Sequence, residues 1–592
     1  MNRCGEFSWG QRALDPAARL EVFAWDGRLD NRTDLRWRFS QPPHGETSDA
    51  SLVLAAYERH GVSGLRDIIG DWSVVLCDTR DDAVVLASDF AGVRPLYYCW
   101  QPGRVCWSRR LASLVEATGA GALDDAYIAG FLTRGGAPHR TPYAGIFSVP
   151  PGHAVRVTAT GVSAHPFWTL PIGDQVRYRD ERRYDEQLRA LFREAVAARL
   201  QTDRPVVAEL SGGLDSSSVV CMASDLIRRG DVPAPRMTTV SYVYGDSRDL
   251  PFIREVETLC GGEHVHLSTH ETPLVSEGQV GTALPTGWEP LQRSVSAVAR
   301  ERGAQVLLTG QNGDLVTGNW FDDSLQVAAL LRRCHVGAAC EQALAWSRLL
   351  RVPVAWILSR ALRALWSPSR ASRDLYSLEG IGAAEQADTS LTPAFVERTS
   401  DDDSRPACSD QWTQAPPERR KYLFALTRLQ ELRVLQSPEA VGDLDHTHPF
   451  AHRPLVEFLM SVPSDILCRP GQPRRLMRRA LADLWPPKLR ARRSKSLFGA
   501  PWHDALRPLA LALLAAPQLQ VVERGWVDPA SFAARLTRLV HGLDCNEPQL
   551  RHIILLEYWL RQRGRDRESS SSLTHSSHTE KEHRHEFQAC CA

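Results

Sequence analysis

The chain has 592 residues, too many for one compact core when domains run to roughly 100–200 residues each, so two or more units are expected. Apolar residues make up 43% of it, as in a globular protein able to bury large cores, and no apolar run reaches the ~18–20 residues that span a bilayer. Lys plus Arg and Asp plus Glu number 70 each, which excludes an overall electrostatic pull toward nucleic acid or a membrane surface and makes any charge-driven binding local.

The start, Met1-Asn2-Arg3-Cys4, lacks the charged-then-apolar order of a signal peptide, and a cytoplasmic location is expected. The 13 cysteines are odd in number, scattered and never spaced C-x-x-C. That pattern fits reduced, mostly buried thiols better than a disulfide frame or a zinc site.

From the start to about Trp168 the chain is rich in short β-type runs: Val22–Trp25, Trp72–Cys77, Ala83–Ala87 and Leu96–Trp100. Asp26-Gly27 and Pro102-Gly103 read as the turns between them. Ser48-Asp49 reads as the cap of a helix over Ala50–Arg59. An α+β domain of stacked antiparallel sheets is expected.

After Pro171 strand-like runs alternate with helix-length segments. Arg183–Arg199 reads as a helix, Val206–Leu210 as a buried strand, Ser216–Arg229 as a helix closed by Gly230, and Thr238–Tyr244 and Val306–Thr309 as further strands. Such alternation predicts a parallel sheet with helices on both faces. Helical patterns dominate from about Phe321, and Val352–Trp366 reads as an amphipathic helix that packs in the core or receives a partner. The polar stretch Arg565–Ala592, with Ser569–Ser572 and His575, His578, His583 and His585, is expected to be a disordered tail; its histidines with Cys590-Cys591 leave metal binding open. The expected units are residues 1–170, 171–564 and the tail 565–592.

The most informative string is Val206-Val207-Ala208-Glu209-Leu210-Ser211-Gly212-Gly213-Leu214-Asp215-Ser216-Ser217. A buried strand runs into a Gly-Gly turn and then a helix, so the backbone can approach an anion closely while Ser216, Ser217 and the helix N-terminus supply donors. The lysine of the Walker loop is absent, which disfavours ordinary γ-phosphoryl transfer. Asp215 stands in the cradle instead, and a carboxylate there repels phosphate unless a hard cation such as Mg²⁺ bridges the two. A second strand ends at Thr309-Gly310-Gln311-Asn312-Gly313-Asp314, placing an acid at the carboxyl edge of the sheet, where ligands of open α/β sheets bind. Asp215 and Asp314 are thus the expected Mg²⁺ ligands.

The run Arg469–Lys495 carries Arg474, Arg475, Arg478, Arg479, Lys488, Arg490, Arg492, Arg493 and Lys495 against the single acid Asp483. Departing pyrophosphate needs positive charge, and Lys495 is the residue chosen to reach the α-phosphate, although a solvated helix face accounts for much of the run. Asp443, Asp445, His446 and His448 form a polar cluster from which a general base could come, or which could be structural.

Together these residues resemble the asparagine synthetase superfamily, over nearly the whole chain. Phe23–Asn31, Gly70-Asp71-Trp72 and Gly92–Tyr98 look like its class II glutamine amidotransferase domain, Ser211–Ser217 like its pyrophosphate loop, and His448-Pro449-Phe450, Arg453-Pro454-Leu455 and Arg492…Lys495 like its later segments. The resemblance implies an Ntn-hydrolase-like N-terminal sandwich, a degenerate glutaminase, followed by an α/β adenine nucleotide alpha hydrolase-like synthetase domain with a helical C-terminal part. It implies ATP and Mg²⁺ as cofactors, with ATP at Leu210, Ser211, Gly212, Gly213, Asp215, Ser216, Ser217, Thr309 and Gly310, and with Asp215, Asp314 and Lys495 carrying catalysis.

The departures redirect the reading. A working glutaminase of this family starts with its cysteine, whereas Cys4 lies three residues inside and would need trimming to be exposed. The Arg-Gly-Pro-Asp clamp is missing, Asn-Gly-Glu has become Asp26-Gly27-Arg28, and the Asp that follows Pro-Phe-Leu is His452. Without glutamine-derived ammonia the amine must come with the substrate, and Gln311–Asn319, Arg469–Leu476 and Pro486-Pro487 look most like lasso-peptide macrolactam cyclases. That branch implies a precursor peptide as substrate, with a leader-binding protein and a leader peptidase as partners. Asparagine synthase, a β-lactam synthetase, an ATP-sensing scaffold and a tRNA-modifying enzyme remain the alternatives.

Overall fold

The computed structural model describes residues 4–8, 20–39, 48–133, 138–171, 175–244, 247–269, 271, 282–318, 324–366, 390–400, 415–431, 442, 444–492, 499–543, 545 and 549–564. The tail after residue 564 and Lys495 lie outside them.

The N-terminal part contains β1 (Gly5–Ser8), β2 (Leu20–Leu29), β3 (Gly70–Asp78), β4 (Ala83–Ser88), β5 (Tyr97–Gln101), β6 (Arg104–Ser108), β7 (Ile146–Ser148), β8 (His153–Val157) and β9 (Val162–Pro166). They form two antiparallel sheets, of order β1-β6-β5-β7 and β2-β3-β4-β8-β9. Alternation along the strands drives the stacking. Phe7, Tyr98, Val105 and Trp107 of the first sheet meet Val75, Cys77, Val84 and Leu86 of the second in one dry layer. The opposite face of the second sheet, with Trp72, Val74 and Leu76, packs on Leu52, Val53 and Ala56 of the helix Asp49–His60. Ser48 caps that helix as expected, its side chain accepting from Ser51 N. Pro102-Gly103 does form the β5–β6 turn. Asp26-Gly27 does not form a turn, because both residues lie inside β2, paired with Ser73 and Trp72. The glycine serves close approach instead: a Cβ there would stand 2.5 Å from the Asp71 carbonyl oxygen.

The second part is built on β10 (Val206–Glu209), β11 (Met237–Val243), β12 (Glu263–Ser268), β13 (Val306–Leu308) and β14 (Asp445–Thr447), in the order β12-β11-β10-β13-β14 with every neighbouring pair parallel. The helices Arg182–Ala198 and Leu214–Arg229 bury Leu188, Phe192, Val219 and Leu226 in the same core as Val206, Ala208 and Leu308. On the other face Val207, Val240 and Leu307 pack against Val295 and Ala299 of the helix Glu289–Glu301. The sheet is the expected parallel one, yet β12 and β14 were not among the expected strands. β14 carries Asp, His and Thr, so its composition hides it; the pairing partner β13 and the N-terminal part supply what holds it extended.

Beyond β13 the described structure is otherwise helical. The helix Val354–Trp366 buries Ile357, Ala361 and Ala364 while leaving Trp366 exposed. The last helices return to the beginning: Leu506, Phe532, Ile554 and Trp559 share a core with Cys106, Leu114, Ile128 and Ile146, covering the outer face of the first sheet. All ten cysteines among the described residues are free thiols. No helix among these residues is long and apolar enough to cross a membrane.

Candidate active site

Strand order reverses between β10 and β13, since β11 and β12 lie to one side and β14 to the other. Ligands of open parallel sheets bind in the crevice at such a switch point, outside the carboxyl ends of the strands. The loop at Leu210–Gly213 follows β10 and the turn at Thr309–Asn312 follows β13, so the two strings singled out in the sequence meet there.

The first loop is fixed by its own polar groups. Leu210 N donates to the Val240 carbonyl at 2.8 Å, and Ser211 N donates to Ser216 Oγ at 3.1 Å, with the two serine hydroxyls 2.9 Å apart. The helix begins at Leu214, two residues before the expected start, which puts Asp215 in its first turn. Ser217 is fully buried and its hydroxyl has no hydrogen-bond partner among the described residues. The second turn lies directly on the first: a Cβ at Gly310 would stand 2.4 Å from Ser216 N, and one at Gly313 would stand 2.5 Å from the Asp215 carboxyl. Only glycine allows the two backbones this close. Asp314 follows at the exposed rim of the same turn. Gln311 Oε1 is buried and without a hydrogen-bond partner among the described residues, a signal that the residue type alone could not give.

The donor set suits Mg²⁺, which takes one or two protein carboxylates and fills its octahedron with phosphate oxygens and water. Asp215 and Asp314 supply that number at the place where phosphate would meet the helix N-terminus.

Of the basic run, two described residues reach this loop. Arg474 Nη1 donates to Asp215 Oδ1 at 2.9 Å, from a residue held in the left-handed conformation with its own N–H on the Gly318 carbonyl at 2.9 Å. Arg492 donates from Nη1 to the Gly212 carbonyl at 2.7 Å, pairs through Nη2 with Asp249, and lays its guanidinium over the Phe252 ring. The others have different work. Arg475 and Arg479 pair with Glu181, and Arg479 also pairs with Asp185. Arg478 donates to the carbonyls of Pro473, Arg490 and Arg492. Arg490 donates to the Trp485 carbonyl, and Lys488 lies 3.9 Å from Glu255. Arg493 and Lys495 lie outside the described residues.

The described members of the polar cluster are engaged in contacts of the fold. Asp445 is paired with Arg94 of the N-terminal part, and Asp443 lies outside the described residues. Burial, with the nearby Arg94 charge, pushes the His446 imidazole down to about 4. Burial, with His446 beside it, pushes His448 well below its ordinary value. Burial thus favours the neutral form of both rings, and His448 Nδ1 meets Thr309 Oγ1 at 2.6 Å, which braces the second turn.

The elements that resemble the glutaminase motif carry ion pairs of their own. Arg28 donates through Nε to Asp30 at 2.7 Å and through Nη2 to Asp71 at 2.9 Å. His452 of the second part places its Nδ1 3.2 Å from Asp30 Oδ2. The Cys4 thiol is hydrogen-bonded to the Cys106 thiol, and that contact together with burial pushes it up, away from the thiolate a nucleophile needs.

Residues 187–561 match the family model described as asparagine synthase, and residues 9–168 match that of the glutamine amidotransferase domain. The chain is 22% identical to asparagine synthetase [glutamine-hydrolyzing] 3 of Bacillus subtilis over 490 residues, 78% of this chain and 73% of that protein. It is 33% identical to the carboxyethyl-arginine beta-lactam-synthase of Streptomyces clavuligerus over 226 residues, 36% of this chain and 39% of that one. It is also 31% identical to amidase chry2 of Gibberella zeae over 45% of this chain. The alignments span 42% of that amidase and 28% of amidase chyE of Penicillium rubens, less than half of either protein. Among solved structures, the glutamine phosphoribosylpyrophosphate amidotransferase of B. subtilis is 14% identical with a TM-score of 0.21, covering 51% of this chain and 72% of its own, too loose a superposition to carry an argument. With a parallel sheet, a phosphate loop at its switch point and a match running through most of the second part, the chain belongs to the asparagine synthase family, whose members are ATP-dependent amide-forming ligases.

Proposed function

We propose that this chain activates an Asp or Glu side-chain carboxylate of a precursor peptide as an acyl-adenylate and lets the peptide's own N-terminal amine close a macrolactam. The observation that carries the reading is Arg28: its guanidinium, bound between Asp30 and Asp71, occupies the degenerate glutaminase motif, while Cys4 is held as a thiol against Cys106. An enzyme that does not draw ammonia from glutamine takes its amine from free ammonia or from the substrate itself, and the second source fits a peptide that carries its own N-terminus.

ATP would be held by Leu210–Ser217, Thr309 and Gly310, and Mg²⁺ by Asp215 and Asp314, where it would neutralise charge on the polyphosphate. The substrate carboxylate attacks the α-phosphorus, the bond to the β-phosphate oxygen breaks, and pyrophosphate leaves. Ser211, Ser216 and the N–H groups of Asp215 and Ser216 receive it, with Arg474 and Arg492 at the loop and Lys495 as the third cation. The peptide amine then attacks the mixed anhydride, loses a proton and expels AMP. Orientation supplies most of the second step, because ring closure trades a bimolecular encounter for a held geometry. A leader-binding protein and a leader peptidase would deliver the free amine, in the cytoplasm.

The test is ATP-to-AMP conversion with Mg²⁺, comparing a leaderless peptide against free aspartate plus ammonia, with Asp215→Ala as control. AMP and a product lighter by one water with the peptide alone is the expected result. AMP with aspartate and ammonia would reassign the chain to asparagine synthesis. The 33% identity to a β-lactam synthase favours, as second reading, a small β-amino acid as substrate; loss of water from such a molecule would establish it.

A further inference from the structure

Where the N-terminal part abuts the parallel sheet, one carboxylate ties the two together. Asp71, on β3, is 2% exposed. Its Oδ2 accepts from Arg28 Nη2 at 2.9 Å and from Thr447 Oγ1 at 2.8 Å, and its Oδ1 accepts from Arg199 Nη2 at 3.0 Å. Arg28 belongs to β2, but Arg199 ends the helix Arg182–Ala198 and Thr447 lies on β14. Arg199 is itself only 2% exposed and also donates from Nη1 to the Ala195 carbonyl at 2.9 Å.

The contact continues to the nucleotide turn. The Thr447 carbonyl accepts from Thr309 N at 3.2 Å, and His448, the next residue, meets Thr309 Oγ1 at 2.6 Å. Thr309 Oγ1 in turn accepts from Gln311 N at 3.3 Å. Gly310 and Gly313 then lie against Ser216 and Asp215 of the phosphate loop. A route of direct contacts therefore runs from Asp71 through Thr447 and Thr309 to the backbone beside Asp215.

Buried ion pairs are weak sources of stability, since well-packed apolar side chains of similar volume do as well or better. A domain kept only to cover a core would have no use for Arg28, Asp30, Asp71 and Arg199 at its seam. A satisfied buried hydrogen-bond network adds direction to packing and rigidifies the strand it holds. We propose that Asp71 is a positioning residue: the N-terminal domain, through Asp71 and Thr447, braces β14 and thereby the Thr309–Asp314 turn against the phosphate loop. The inference rests on reading that loop as nucleotide-binding.

The experiment uses the full chain and the variants Thr447→Val, Thr447→Ser and Asp71→Asn. Amide hydrogen exchange over residues 304–318 and calorimetric titration with Mg·ATP are the readouts. Thr447→Val leaves every ion pair in place and removes one hydrogen bond, so folding is retained and the variant carries the test even where Asp71→Asn does not fold. Exchange of the 309–314 amides accelerates about tenfold in Thr447→Val and returns toward wild type in Thr447→Ser, while ATP affinity falls several-fold. Where Asp71→Asn folds, it and Thr447→Val are non-additive in exchange rate. Unchanged exchange at 309–314 in Thr447→Val, or additive effects, overturns the brace. Failure of the peptide to yield AMP leaves the exchange result standing, so loss of the functional reading and loss of this inference are separate outcomes.

Discussion

Replacing Arg492 by Met removes a charge that is almost wholly out of water, with the guanidinium only 4% exposed and its partner Asp249 only 9%. Methionine keeps much of the volume and the contact with Phe252, so the loss is electrostatic rather than a cavity. Two charge-assisted hydrogen bonds disappear, one to the Gly212 carbonyl and one to Asp249. What remains is a carboxylate buried without its partner, and breaking a buried pair on one side costs about 3–5 kcal/mol. The Gly212 carbonyl is freed as well, so the phosphate loop loosens and the Kd for Mg·ATP rises. Urea denaturation followed at pH 7 measures the stability term, with Arg492→Met, Asp249→Asn and the double variant forming a cycle. The double variant should recover part of the loss, because asparagine does not carry the stranded charge; a coupling energy of about 2 kcal/mol or more is expected. A cost under about 1 kcal/mol for Arg492→Met, or simple additivity, would refute the assignment of Arg492 as the loop's buried clamp.

Arg474→Gln removes the cation that faces Asp215 and should raise the KM for ATP by about ten- to a hundredfold, the equivalent of one charge-assisted contact. Asp215→Ala should abolish AMP formation at any Mg²⁺ concentration, whereas Asp314→Asn should be partly rescued by raising Mg²⁺, in a coupled pyrophosphate-release assay. Acid should destabilise the fold through His446 and His448. Below their ordinary value near 6.5 the unfolded chain takes up protons that the folded one refuses, so this stability is full above that pH and is lost as pH falls through about 4 for His446. The slope is on the order of 1 kcal/mol per pH unit and should flatten in His446→Gln, measured by thermal unfolding between pH 7 and 4. Wild type should release no glutamate from glutamine, and Cys4→Ala should match it in ATP-to-AMP conversion with the peptide.

Local signals told most of what is local. Ser48 before its helix, Gly230 after another, and the strand-Gly-Gly-helix string each act through neighbours a few residues away, so chain order suffices to read them. The expected helix over Arg183–Arg199 was right to within one residue at each end because its apolar positions repeat with the helical period. Long-range choices were not legible. Nothing in the run Arg474, Arg475, Arg478, Arg479 distinguishes the residue that faces Asp215 from those that pair with Glu181, since adjacent arginines on a short helix point in different directions. Which of Asp443, Asp445, His446 and His448 could serve as a base was not legible either: burial and a neighbouring charge lower the two imidazoles, and both arise only on folding.

The sequence by itself determined the strand-Gly-Gly-helix loop with a carboxylate in the first turn of its helix and the second glycine turn, because each is written in contiguous letters with one steric meaning. Tertiary structure alone decided that the two turns press together at the switch point of the sheet, that Asp445–Thr447 is a strand, and that Arg28 and Arg199 close on Asp71 across the seam. These contacts join residues far apart in the chain, and whether a buried charge meets a partner depends on where the packing of two domains brings it.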